Sequence, residues 1–97
     1  MCPLVYEQPL GMPLHTPEYE QFLELLKQQR VDKGVSQVEL SKRLGQTQQY
    51  VSRCEVGERR LDLIEFYQWC EALGVDAIAV FEDLRRVLKK HRSFHAK

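Results

Sequence analysis

The chain has little of what an exported, membrane-bound or disulfide-built protein needs. Its longest apolar run, Ala77 to Phe81, is far too short to span a bilayer, and its N-terminus lacks the basic and apolar regions of a signal peptide. The expected location is cytoplasmic, with no membrane partner. The three cysteines, Cys2, Cys54 and Cys70, are odd in number and lack C-x-x-C spacing, which argues for free thiols and against a disulfide framework or a cysteine zinc site. His91 and His95 have no evident third ligand, so no metal is expected. There is no Ser-His-Asp or Cys-His set in a plausible frame, no phosphate-cradling glycine loop, and no carboxylate pair beyond those of ordinary helix surfaces. A length of 97 residues leaves room for one core and not for separate catalytic and regulatory domains. Neither enzymatic activity nor a cofactor is expected.

Net charge is also lacking, since 14 Lys and Arg balance 14 Asp and Glu, so whole-molecule charge does not argue for a nucleic-acid or membrane partner. The distribution does carry information. Residues 35–60 hold five bases against three acids, residues 61–84 hold six acids and no base, and residues 85–97 hold six bases and no acid. All four prolines, Pro3, Pro9, Pro13 and Pro17, fall in the first 17 residues, which forbids a long helix there. Residues 1–16 are read as an extended Pro-rich arm, residues 17–91 as the folded domain and residues 92–97 as a basic tail.

The folded part reads as five helices, with no alternating run long enough for a sheet and no internal repeat. Thr16-Pro17 is a cap followed by proline at the first helical position, and Tyr19, Phe22, Leu23 and Leu26 form an apolar face that lasts until Gly34. Ser36-Gln37-Val38-Glu39 has the form of a capping box, with Val35 placed to staple against Leu40, and Gly45 ends that short helix. Thr47 caps a third helix that Gly57 stops. Asp62-Leu63-Ile64-Glu65 repeats the box, with Leu61 facing Phe66, before a helix that runs to Gly74, and Asp76 caps a fifth through Leu88. In the fourth helix Phe66 and Cys70 are expected in the core, while Tyr67 or Trp69 faces either the core or a second subunit.

Helices two and three, residues 36–56, are the informative pair. A short helix, a glycine turn and a second short helix form the pattern that presents a helix to the DNA major groove. Leu40 and Leu44 lie one turn apart, Ser41 is small enough for close approach, and Val51 faces back to the core. Gln48, Gln49, Ser52 and Arg53 are left pointing outward with Thr47 at the N-terminus. Glutamine pairs bidentately with adenine and arginine with guanine, while hydroxyls and helix N-termini hold phosphates.

The stretch SQVELSKRLGQTQQYVSRCEVGERR followed by LIEFYQWCEALGVD resembles the phage repressor and Cro-type helix-turn-helix family, the XRE family, over roughly residues 20–84. The resemblance implies an all-α, five-helix repressor-like fold with Gln48, Gln49 and Arg53 toward the bases and Gln37 toward a phosphate. It also implies a structural ion pair between Arg30 and Glu55. Two positions depart from the family pattern: Val56 replaces an Asn that lends the following loop a polar contact, and Cys54 replaces a larger residue. Cys54 is read as simple packing.

A stripe of Gln and Arg is by itself as consistent with a solvated helix face as with a binding face. The turn pattern, with Lys42, Arg43, Thr47, Ser52, Arg59 and Arg60 available for phosphates, shifts the reading to double-stranded DNA. The basic C-terminal run either extends that footprint or complements the helix macrodipole. The expected function is a sequence-specific transcriptional regulator, a homodimeric repressor on a near-palindromic operator. The alternative is a protein-interaction module on the same fold, such as the antitoxin of a toxin-antitoxin pair holding a toxin through its arm or tail. A restriction-modification controller is a third possibility.

Overall fold

The computed structural model describes residues 16–90; the arm before them and the residues from 91 onward, including His91 and His95, lie outside the described residues. Five helices follow in order: α1 (Pro17–Asp32), α2 (Gln37–Leu44), α3 (Gln48–Glu55), α4 (Leu63–Leu73) and α5 (Ala77–Lys90). The described residues contain no strand.

Four of the five helix starts are set by side-chain acceptors. Thr16 Oγ1, Ser36 Oγ, Thr47 Oγ1 and Asp62 Oδ1 accept from the backbone N–H three residues on, at 3.1, 3.0, 3.0 and 2.8 Å. Each cap satisfies a donor that the helix itself leaves unpaired. At α4 the box is reciprocal, because Glu65 Oε1 accepts from Asp62 N at 2.9 Å. At α2 the Glu39 carboxylate instead pairs with Arg43 at 3.2 Å, since an arginine one turn on competes for it. The turn between α2 and α3 needs a left-handed residue, and Gly45 supplies it at φ 69° while Gln46 N donates to Ser41 O at 2.9 Å.

The core gathers Leu26 from α1, Leu40 from α2, Val51 and Cys54 from α3, and Trp69 and Cys70 from α4, all essentially fully buried. Trp69 is therefore a core residue, and Tyr67, 53% exposed, is the aromatic that faces outward. Aromatic contacts extend the core toward the start of α1: Phe22 lies 5.4 Å from Tyr19 and 5.6 Å from Phe66, ring centre to ring centre. Tyr19 Oη accepts from Leu61 N at 3.0 Å, tying the loop before α4 to α1. Ser41, also buried, donates its hydroxyl to Val38 O, so its polar atom is satisfied inside α2 where the helices meet.

Candidate nucleic-acid interface

α3 has eight residues, and its burial divides them sharply. Val51 and Cys54 are sealed in the core, which turns Gln48, Gln49 and Arg53 into solvent and leaves Ser52 half-buried at the edge. Burial pushes the Cys54 thiol above its ordinary pKa, so it stays protonated and packs as a small apolar group. Thr47 uses an oxygen lone pair to cap Tyr50 N, which leaves its hydroxyl proton available at the helix entrance.

Arg30 and Glu55 meet beneath this face. Arg30 Nε donates to Glu55 Oε2 at 2.6 Å and Nη2 to Oε1 at 3.0 Å, and Arg30 Nη1 donates to Val35 O at 2.8 Å. Gln37, at the first turn of α2, gives its amide N–H to Glu55 Oε1 at 2.9 Å and receives Gln48 Nε2 at 3.4 Å. The Gln37 side chain is thus engaged inside the protein, between the ion pair and the outer face of α3.

The cations around α3 differ in their freedom. Lys42 is exposed on α2. Arg43 is exposed but reaches Glu39 and donates to Ala72 O at 2.9 Å, at the C-terminal end of α4. Arg53 lies 4.0 Å from Glu58 with both side chains more than half exposed, a weak pairing. Arg59 pairs with Glu65 at 2.9 Å and stacks over Tyr50 with its guanidinium carbon 5.0 Å from the ring centre; the Glu65 hydrogen bond raises its pKa further. Arg60 stacks over Tyr19 at 4.4 Å. Arg59 and Arg60 therefore brace the loop after α3 as well as charging it. Nothing local in the sequence signals the Arg60 stack, because Tyr19 comes from α1.

A second surface was only partly visible in the sequence, through Tyr67. Leu63, Ile64 and Tyr67 of α4 and Ile78 and Phe81 of α5 line a groove of about 430 Å³ with Phe66 and Ala77, and none of its walls is charged. Leu63, Ile78 and Ile64 are 76, 69 and 63% exposed. Among the described residues no group of His, Cys, Asp or Glu is arranged to hold a metal ion, and no helix is long and apolar enough to cross a membrane.

Comparison with known proteins agrees with this geometry. Residues 26–78, more than half of the chain, match the helix-turn-helix family HTH_3. The chain is 41% identical over 49 residues to an uncharacterized HTH-type transcriptional regulator, y4dJ, of Sinorhizobium fredii; the match covers 50% of this chain and 64% of that protein, less than two thirds of its length. An XRE-family like protein from Pseudomonas syringae pv. tomato superimposes with a TM-score of 0.69 and 41% identity, over 73% of this chain and 89% of that one. The restriction-modification controller protein C.Esp1396I superimposes with a TM-score of 0.72 over 79% of this chain and 100% of that one, but at 23% identity this is a likeness of fold alone.

Proposed function

The chain belongs to the helix-turn-helix family, and on that premise we propose that it is a sequence-specific double-stranded DNA-binding transcriptional regulator, acting as a homodimeric repressor on a near-palindromic operator. The observation that carries this reading is the division of α3, with Val51 and Cys54 sealed inward and Gln48, Gln49 and Arg53 held outward on a rigid element. An α-helix, ~10–12 Å across with its side chains, fits the ~12 Å width of the major groove. Gln48, Gln49 and Arg53 contact base edges. Lys42, Arg43, Thr47 and Ser52 flank them and contact phosphates, Arg43 exchanging an exposed pairing with Glu39 that is worth little in water, and Gln37 joins them through the second N–H of its amide, the one not given to Glu55. Arg59 and Arg60 contact phosphates at the rim from their seats on Tyr50 and Tyr19, since a guanidinium has more donors than these contacts use.

The uncharged groove of α4 and α5 supports the homodimer. Large apolar side chains this exposed are a cost in water that a second copy removes, whereas a phosphate backbone finds no cation there. Two α3 helices related by a two-fold axis then read half-sites about 10 base pairs apart, and occupancy of that site blocks polymerase.

The test is binding of the purified chain to the duplex upstream of its own gene and to random duplex of equal length, at several salt concentrations. A preference of at least ~10³-fold is expected. Gln49→Ala should cost ~1–3 kcal/mol on the preferred duplex and leave the random one nearly unchanged. Equal, weak binding to both duplexes would remove sequence-specific regulation.

A further inference from the structure

The groove between α4 and α5 lies beside the point where the chain enters the fold. Pro17 opens α1, and from the first turn of that helix Tyr19 Oη accepts the N–H of Leu61, two residues before Leu63 on the groove wall. One turn further on, the Phe22 ring packs 5.6 Å from that of Phe66, which also lines the groove. Residues 1–15, outside the described residues, are therefore joined to the protein next to this groove. At ~3.3–3.6 Å per extended residue, Leu14 reaches up to ~7 Å from Thr16 and Leu10 up to ~20 Å.

The chemistry of this segment matches the groove. Glu7 is the one Asp, Glu, Lys or Arg in residues 1–15, and no residue lining the groove is charged. Leu10, Met12 and Leu14 alternate with Gly11 and Pro13. Pro9 and Pro13 bar a helix and favour extended backbone in the residues before them, and in extended backbone alternate side chains share a face. Three large apolar side chains on one face suit an uncharged trough, whereas without Lys or Arg they offer nothing to a phosphate.

We infer that residues 10–14 of the same chain occupy the α4–α5 groove in the monomer, and that a second copy must displace them to form the dimer. The inference rests on the homodimer reading above and adds to it what regulates that surface. A tethered segment competes at an effective concentration in the millimolar range, whereas a second copy arrives only at the concentration of free protein. Each of the two copies has to release its own segment, so the apparent dissociation constant of the dimer is raised once for each. Dimerisation, and operator occupancy with it, is thereby held back until the protein accumulates. The same contact shields Leu63, Ile64 and Ile78, which α4 and α5 themselves leave exposed, from water in the monomer.

The experiment compares the full chain with the triple variant Leu10→Ser, Met12→Ser, Leu14→Ser by sedimentation equilibrium. In parallel, Met12 is replaced by a photo-crosslinking benzoylphenylalanine and irradiated at concentrations where the chain is monomeric. The triple variant should dimerise about tenfold more tightly or better. The crosslinks should join position 12 to the Leu63–Tyr67 or Ala77–Phe81 peptide of the same molecule, as mass mapping would reveal. An equal or weaker dimer in the triple variant, or crosslinks that fall outside the groove, overturns the inference and leaves the homodimer reading standing. A weaker dimer would instead make the segment part of the contact between copies. If neither protein dimerises at any concentration, the homodimer reading falls and takes the regulation of dimerisation with it, whatever the crosslinks show.

Discussion

Arg30 on α1 and Glu55 on α3, 25 residues apart in the chain, meet in a two-point ion pair with only 11% and 4% of their side chains exposed. The third nitrogen of Arg30 holds Val35 O in the turn before α2. One guanidinium therefore fixes three parts of the chain relative to one another. Burying two charges is tolerable here because the geometry is bidentate, the third guanidinium nitrogen donates to Val35 O and Glu55 Oε1 also receives Gln37.

Removing one partner should be far worse than removing both. Glu55→Ala leaves a buried guanidinium uncompensated and should cost ~3–5 kcal/mol. For a domain of this size that lowers Tm by roughly 10 °C or more. Arg30→Met combined with Glu55→Leu should recover a large part of the loss. Thermal denaturation of the three proteins decides it, and a Glu55→Ala protein melting with wild type would contradict the buried pair.

The cations around α3 should separate by salt dependence. Lys42→Ala and Arg43→Ala should each flatten the slope of log K against log salt by about 0.9, the release of one phosphate contact's counterion. Arg59→Ala should change the slope less, because Glu65 already offsets its charge, and should instead destabilise the fold by roughly 1 kcal/mol through loss of the Tyr50 stack. A full unit of slope lost in Arg59→Ala, with Tm unchanged, would reverse these assignments.

In the proposed homodimer the apolar groove is the surface to disrupt. Phe81→Glu places a charge among Leu63, Ile64 and Tyr67 without touching the core, so the chain should remain folded and sediment as a monomer. Operator affinity should fall by about tenfold or more, since each copy then holds a single half-site. A dimer that persists in Phe81→Glu would move the interface elsewhere.

Cys54 and Cys70 are both buried and unpaired, and burial raises both thiols, Cys70 from its ordinary 9.0 to about 11. Neither should react with a disulfide reagent at pH 8 until the protein is unfolded, as mass mapping of labelled peptides would reveal. The sign of the pH effect follows from the raised value. The folded state favours the neutral Cys70 thiol, so this contribution to stability is complete below about pH 9 and is lost as pH rises toward about 11. Denaturant titrations should show that alkaline loss shrinking in Cys70→Ala, and an identical loss would place its origin in another group.

The sequence by itself determined what short-range chemistry controls. Thr16, Ser36, Thr47 and Asp62 each start a helix because a short acceptor reaches the N–H three residues on, and Gly45 and Gly74 end helices in the left-handed conformation that glycine adopts without strain. The five helices and the glycine turn before α3 were legible for that reason, as was the polar stripe on α3. Apart from the Arg30–Glu55 pair, which the family resemblance implied, the partner of a long side chain was not legible, because it depends on which elements pass within a few ångströms. Glu39 has a possible partner at each end, and only its contact with Arg43 says which it uses. Arg60 reads as a free cation until α1 brings Tyr19 beneath it, and Trp69 and Tyr67, two residues apart, exchange core for surface according to how α4 rolls against α2. Which way the amides of Gln37 and Gln48 turn belongs to the same class. It depends on a carboxylate arriving from α3 beside the first turn of α2, a proximity that tertiary packing creates and no local pattern encodes.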